Sequence, residues 1–171
     1  MDWLRAFKHQ RLDARDAKRL LGDGAMQRVE QRVEARVAAS EAHHSGEIRV
    51  CVEAGLPMSY LRRNATARER AVAMFGKLRV WDTEHNNGVL VYLLVAEHAI
   101  EIVADRGLSR HVDAAGWQHI MATMQSAFHG GQFEAGLNQA IDAIDALLLE
   151  HFALAPGQVN PNELPNAPLM R

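Results

Sequence analysis

The sequence predicts an α/β fold built on a small mixed sheet, and three observations support this prediction. Residues 47–53 alternate between apolar and charged side chains, residues 89–96 form a wholly apolar run, and residues 99–105 alternate again. Such patterns are typical of strands buried on one face or on both. Segments with apolar residues at helical spacing lie before, between and after the strands, and this mixture indicates an α/β fold.

Helices are predicted wherever apolar residues recur every three or four positions. Residues 2–21 form a loosely amphipathic helix, which is interrupted at Gly22 and Gly24. The next helix is more regular, because Met26, Val29 and Val33 lie on one side of it. The helices after Gly24 are predicted over residues 25–42, 64–79, 113–129 and 132–152.

The connections between the strands predict their directions. The helix over 64–79 joins the strand at 47–53 to the strand at 89–96, and a strand–helix–strand unit is normally parallel and right-handed. Residues 97–99 are few enough for a hairpin loop, so the third strand should run antiparallel to the second. The starts of the first two strands and the end of the third are therefore expected at one edge of the sheet.

Polar side chains from three segments are expected at that edge. They are Glu47, Asp82, Glu84, Asn86, Asn87 and Asp105. Carboxylate and amide oxygens are hard ligands, which suit Ca²⁺ or Mg²⁺ and suit zinc poorly. The pattern is therefore compatible with a divalent-cation site at this edge. The place of Glu47 in the site depends on the first two strands being parallel.

The same residues have a structural interpretation, which the sequence leaves open. Residues 86–88, Asn-Asn-Gly, are typical of a turn, because asparagine tolerates the left-handed conformation and glycine adopts it freely. Asp82 is able to cap that turn through backbone amides, and Asp105 is able to pair with Arg106 or Arg79. A turn and a ligand site are both compatible with this pattern.

Length, charge and composition restrict the class of protein. The chain has 171 residues, of which 48% are hydrophobic and 23% are charged, as in a soluble single domain. Its formal net charge of −2 argues against binding to nucleic acid through bulk charge. The longest apolar run, residues 89–96, is far shorter than the roughly 20 residues of a membrane helix, and the first residues do not have the pattern of a signal peptide. We expect a cytoplasmic protein without a membrane span or a nucleic-acid partner.

The sequence contains no familiar catalytic motif. The single cysteine, Cys51, lies in a predicted strand and excludes a disulfide within the chain. The nine histidines form no HExxH motif, and neither a GxSxG motif nor a Walker loop is present. Ser45 and Ser109 lie near turns, but neither has a histidine and a carboxylate at a diagnostic spacing. No catalytic residue is therefore predicted.

The chain divides into three parts. Residues 1–42 form a leading helical segment packed on the domain, residues 43–153 form the α/β domain, and residues 154–171 form a tail. The tail contains four of the five prolines, mixed with asparagines. This composition favours a tail that is flexible, or that is ordered only by docking on a surface.

Three segments together resemble the TPM domain family, whose members include a thylakoid-lumen protein, a photosystem II repair factor and a modulator of acetylcholine receptors. The segments are residues 44–49, residues 80–84 with 87–90, and residues 103–107. The resemblance extends over residues 40–153. Most familiar members have a signal peptide and often a transmembrane tail, and this sequence is similar to a shorter bacterial branch with neither.

The resemblance implies a fold and two functions. The fold is a three-layer α/β/α sandwich around a small mixed sheet, here with extra N-terminal helices. Some members bind a divalent cation at a polar sheet edge, and the residues of this chain that match are Asp82, Asn87 and Asp105, with Glu47 and Asn86 beside them. A plant member is described as an acid phosphatase.

We therefore expect a non-catalytic module that binds Ca²⁺ or Mg²⁺ or a protein partner, as an accessory factor for a membrane-associated or stress-related assembly. Two alternatives stay open. One is a metal-dependent phosphomonoesterase, in which a cation between Asp82 and Asp105 polarises phosphate and Arg106 neutralises its charge. The other is a structural scaffold that docks a partner through its leading helices or its tail.

Overall fold

The structure, a computed structural model, describes residues 4, 5, 9, 25–130 and 132–171. Leu4, Arg5 and His9 are helical. The rest of the helix predicted over residues 2–21 lies outside the described residues.

The described residues form a mixed sheet with the strand order β3, β2, β1, β4. The strands are β1 (Glu47–Glu53), β2 (Gly88–Leu94), β3 (Ala99–Ala104) and β4 (Leu169–Met170). β1 is parallel to β2 and to β4, and β2 is antiparallel to β3, so the predicted directions of the first three strands are confirmed. A 3₁₀ turn at Val95–Glu97, followed by His98 in the left-handed conformation, links β2 to β3.

Helices pack on both faces of this sheet. They are α1 (Ala25–Glu41), α2 (Met58–Arg62), α3 (Ala67–Lys77), α4 (Arg106–Ser109), α5 (Ala114–His129) and α6 (Phe133–Phe152). The short helices α2 and α4 were not predicted. Within the described part of the chain, no helix is both long and apolar enough to cross a membrane.

Two hydrophobic cores hold the layers together. The first lies between one face of the sheet and α1, α5 and α6, and it includes Val37, Ile48, Val91, Met124, Ile141 and Leu148. The second lies between the other face and α2 and α3, and it includes Leu61, Met74, Leu90 and Tyr92. Each buried aliphatic or aromatic side chain of this size contributes roughly 1.5–3 kcal/mol. The three-layer α/β/α sandwich is therefore confirmed.

The charged face of β1 is buried, whereas the sequence predicts that it is exposed. Its alternating pattern predicts a strand exposed on one face, but all seven residues are buried. Glu47, Arg49 and Glu53 are 0%, 8% and 3% exposed. Glu53 accepts two hydrogen bonds from the Arg70 guanidinium, at 2.7 and 2.5 Å, and a third from the Tyr92 hydroxyl at 2.8 Å. A charged side chain is buried at tolerable cost only when it is paired in this way.

The tail, residues 154–171, docks on the domain along β1. Glu47 Oε2 accepts a hydrogen bond from the backbone amide of Leu164 at 3.0 Å. The Arg49 guanidinium donates to two backbone carbonyls of the tail. β4 then pairs with β1, and the backbone amide of Arg171 donates to the carbonyl of Val52 at 2.9 Å. The tail thus fills the edge of the sheet beside β1.

We expect Gly88→Ala to unfold the start of β2. A Cβ atom on Gly88 would overlap the backbone carbonyl oxygen of Val80, which a rotamer change does not relieve. The free energy of unfolding should fall by about 3 kcal/mol or more in urea titrations, the upper range for an overpacked site. The matched control is Gly76→Ala in α3, where a Cβ meets nothing within 4 Å and helix propensity favours alanine by up to about 1 kcal/mol. Equal stability of the two variants would contradict the close approach at Gly88.

Candidate cation site at one edge of the sheet

Three segments of the chain meet around Gly88, at the edge where the sequence predicts them. Glu47 is the register partner of Gly88 in the parallel pair of β1 and β2. From the other side, the backbone amide of Asp105 donates to the carbonyl of Gly88 at 2.9 Å. Glu47, Asn87 and Asp105 are thus brought to neighbouring backbone positions, and the parallel direction on which Glu47 depends is confirmed. Cation binding by these residues stays a prediction.

The loop before β2 has the geometry of a turn. Asn86 lies in the left-handed region, with φ 52°, and its backbone amide donates to the carbonyl of Thr83 at 3.1 Å. The backbone amide of Asn87 donates to Thr83 Oγ1, also at 3.1 Å. Gly107 donates to the carbonyl of Asn86 at 2.8 Å, and it passes so close that a Cβ there would overlap the carbonyl of His85. Turn chemistry therefore accounts for the backbone of this loop.

Two of the predicted ligands have their side chains on the surface. The Asp82 side chain is 53% exposed, and one of its oxygens lies 3.8 Å from the Arg79 guanidinium. Asn86 Oδ1 accepts a hydrogen bond from Arg106 Nε at 3.2 Å. The Asp82 side chain is thus near a positive charge, and the Asn86 side chain has a hydrogen-bond donor. Neither has a buried oxygen that lacks a partner.

The other three predicted ligands have buried oxygen atoms without a hydrogen-bond partner. These atoms are Glu47 Oε1, Asn87 Oδ1 and Asp105 Oδ2. The remaining polar atoms of the same side chains are bonded: Asn87 Nδ2 donates to Ser45 Oγ at 3.2 Å, and Asp105 Oδ1 caps α4 by accepting from the backbone amide of Arg106 at 2.6 Å. A buried acceptor without a donor costs about 1–3 kcal/mol, so each of these atoms calls for water or a cation.

The edge also contains acidic groups that the sequence did not indicate. Glu41, the last residue of α1, accepts a hydrogen bond from the backbone amide of Ile48 at 2.8 Å through Oε1. Its Oε2 is buried and unpartnered. Burial raises the pKa of Glu41 to about 8, and the neighbouring charge of Glu47 adds to this rise. Burial also raises the pKa of Glu47, whereas hydrogen bonds from the backbone of Glu163 and Leu164 oppose this rise and the charge of the Glu163 carboxylate adds to it. The region is therefore acidic and short of donors.

A serine, a histidine and an aspartate lie together beside α1, but not in a catalytic order. The Ser40 hydroxyl donates to Asp145 Oδ1 at 2.5 Å and lies 2.8 Å from His44 Nε2. Because the hydroxyl proton points at Asp145, the His44 ring nitrogen is the donor toward Ser40, the reverse of a base that activates a nucleophile. His44 is fully buried, and this burial lowers its pKa. These contacts fasten α1 to α6.

An open cleft gives solvent access to the same edge. It has a volume of about 540 Å³ and is lined by Ser45, His85, Phe152 and the first part of the tail. Ser45 lies both in this cleft and against the Asn87 amide. Its hydroxyl donates to the backbone carbonyl of Phe152 at 3.5 Å and makes no hydrogen bond to a histidine of the described chain. The cleft therefore reaches the edge at Ser45, next to the amide nitrogen of Asn87.

The arrangement is not a cage of carboxylates. Among the described residues, no three His, Cys, Asp or Glu side chains lie together as a metal site would require. A cation at this edge would therefore have to be held by an amide oxygen, one or two carboxylates and water.

The sequence of this chain matches one protein family over most of its length. Residues 22–147 match the TPM domain, which is about three quarters of the chain. The chain belongs to the TPM domain family. All five predicted ligands lie within the matched residues, whereas the tail lies beyond them.

Two solved structures share this TPM fold. The NMR structure of the BA42 protein from the psychrophilic bacterium Bizionia argentinensis is 27% identical, with a TM-score of 0.71 over 83% of this chain and 92% of BA42. The N-terminal domain of a protein from P. gingivalis, also solved by NMR, is 20% identical, with a TM-score of 0.59 over 80% of this chain and 83% of its own. No curated protein matches the chain.

We expect Glu41→Gln to reduce the pH dependence of stability. The folded chain keeps a proton on Glu41 up to about pH 8, whereas the unfolded chain releases it near the ordinary value of 4.5. The stabilisation from this proton is therefore full below about pH 4.5 and is lost as the pH rises through about 8. Glutamine keeps the acceptor for Ile48 and has no charge to bury.

Urea denaturation at several pH values between about 5.5 and 9 tests this expectation. The free energy of unfolding of the wild type should fall across that range, and that of Glu41→Gln should fall less. Glu150→Gln is the control, because the Glu150 side chain is 69% exposed. A slope in Glu41→Gln as steep as in the wild type would show that Glu41 is not the group responsible.

Proposed function

We propose that this TPM domain is a non-catalytic module that binds a hydrated divalent cation at the edge of the sheet. Asn87 and Asp105 are its protein ligands, through Asn87 Oδ1 and Asp105 Oδ2. The observation that supports the proposal is that both oxygens are buried and unpartnered, and that their residues adjoin Gly88, Asn87 in sequence and Asp105 through a backbone hydrogen bond. An amide oxygen accepts and never donates, and because no protein donor reaches Asn87 Oδ1, a water proton or a cation would have to satisfy it.

The chemistry of the two ligands favours Mg²⁺ over Ca²⁺. Ca²⁺ takes six to eight oxygen ligands, whereas Mg²⁺ keeps several waters and is commonly bound through one or two carboxylates. One carboxylate and one amide, completed by water, match the second description. Such an ion would fasten the loop before β2 to the start of α4, and its role would be to hold this surface in one shape for a protein partner.

We expect millimolar MgCl₂ to raise the melting temperature of the wild type, because a ligand that binds only the folded state adds to its stability. Asp105→Asn should lose this response. Asparagine caps a helix as well as aspartate does, so the variant keeps the fold and loses the anionic ligand. CaCl₂ in parallel samples reports the preference between the two ions.

The matched control is Asp82→Asn, which removes one carboxylate from the same loop but from an exposed position paired with Arg79. It should respond to MgCl₂ as the wild type does. Unchanged melting of the wild type at all concentrations would refute the proposal. An equal response in Asp105→Asn, or a response lost only in Asp82→Asn, would place the ion elsewhere.

A further inference from the structure

The groove along β1 that holds the tail recognises an extended backbone. The buried Glu47 carboxylate accepts from the amide of Leu164, and the Arg49 guanidinium donates to the carbonyls of Pro165, at 2.6 Å, and Ala167. Two charged side chains, each at least nine-tenths buried, thus form hydrogen bonds with backbone groups of the tail. In a sheet interior, a neighbouring strand normally supplies these bonds.

The end of the tail completes the groove by joining the sheet. Leu169 and Met170 are the register partners of Cys51 and Val52. The amide of Arg171 donates to the carbonyl of Val52 at 2.9 Å, and its own carbonyl accepts from Ala54 at 2.8 Å. The tail thereby acts as an added strand on β1, a recurrent way for an extended peptide to dock.

The side chains of the tail match this groove. Leu164 is 7% exposed and belongs to the second core. The Arg171 guanidinium lies 3.9 Å from Glu53, which is the acid at the far end of β1. The groove is therefore complementary to this segment in shape, in backbone hydrogen bonding and in charge.

A small exposed turn connects the tail to α6. Residues 155–159 are all exposed, and Val159 is 84% exposed. The turn is closed by one backbone hydrogen bond, from Gln158 to Ala155 at 2.9 Å, and by the Gln158 side chain. Gly157 lies at φ +85°, where a side chain is rarely tolerated. Extending this turn breaks few contacts of its own, and the contacts between tail and groove would re-form when the tail enters the groove of a second copy.

We propose that the β1 groove accepts residues 160–171 of a second copy of this chain, so that two copies exchange tails and form a dimer. Every contact between tail and groove would be the same in the dimer, since none depends on which copy supplies the segment. The occupant is a second copy because the complementary segment belongs to this chain and lies outside the family-matched residues. The proposal does not rest on the cation ligands Asn87 and Asp105, which lie outside the exchanged segment.

Tail exchange would also make the polar edge a shared site. The Glu163 carboxylate accepts from the backbone amide of Glu84 at 3.0 Å and adds to the rise in the pKa of Glu47. In an exchanged dimer this carboxylate comes from the partner copy. Each edge would then be complete only when both copies are present.

Gly157→Pro in the full chain tests the proposal. Proline holds φ near −65°, which is incompatible with the closed turn, so this variant should sediment at twice the mass of one chain. Gly157→Asn is the matched control, because asparagine tolerates positive φ, and it should sediment as the wild type does.

A disulfide distinguishes tail exchange from other association. Leu169→Cys places a second thiol opposite Cys51, on strands about 4.8 Å apart, which is within the range of a disulfide. After oxidation, Leu169→Cys with Gly157→Pro should give a covalent dimer on a denaturing gel, and Leu169→Cys with Gly157→Asn an intrachain bond. Leu169→Cys alone should give more covalent dimer when it is concentrated before oxidation, a measurement that does not depend on the folding of the proline variant. A Gly157→Pro chain that stays monomeric, or disulfides that stay within one chain at every concentration, would overturn the proposal.

Discussion

The charged face of β1 is the constraint on which the rest of the structure depends. Glu47, Arg49 and Glu53 lie on one face of an interior strand, and all three are buried. Removing one partner of such a buried pair costs about 3–5 kcal/mol, so each charge must be matched by another element. Arg70 of α3 matches Glu53, and the backbone of the tail matches the other two. The position of α3 and the path of the tail both follow from this requirement.

The same requirement determines the shape of the polar edge. Glu47 is held by the tail, whereas Asn87 and Asp105 are held by a turn and a helix cap, which leaves one oxygen of each side chain without a donor. Gly88 lies between them because only glycine permits the carbonyl of Val80 to pass so closely. The edge is thus built mainly from backbone geometry, and its unpartnered oxygens are the chemical consequence of that geometry.

Local patterns predicted much of this fold, and long-range contacts account for what they missed. The bounds of β1, the directions of the first three strands and the meeting of three segments at one edge follow from periodicity and connection length. The prediction that β1 is exposed on one face was wrong, because the partners of its charged residues lie far away in the chain. Arg70 is 17 residues from Glu53, and Leu164 is 117 residues from Glu47. The sequence around β1 contains no pattern that predicts these partners.

One missed boundary did have a local signal. Thr66 and Glu69 form a capping box, in which Thr66 Oγ1 accepts from the amide of Glu69 and the Glu69 carboxylate accepts from the amide of Thr66. This pattern predicts a helix that begins at Ala67, three residues later than apolar spacing alone suggests. The orientation of side chains at the polar edge has no such signal. Asp82 and Asp105 look alike in sequence, yet one is exposed beside Arg79 and the other has a buried, unpartnered oxygen.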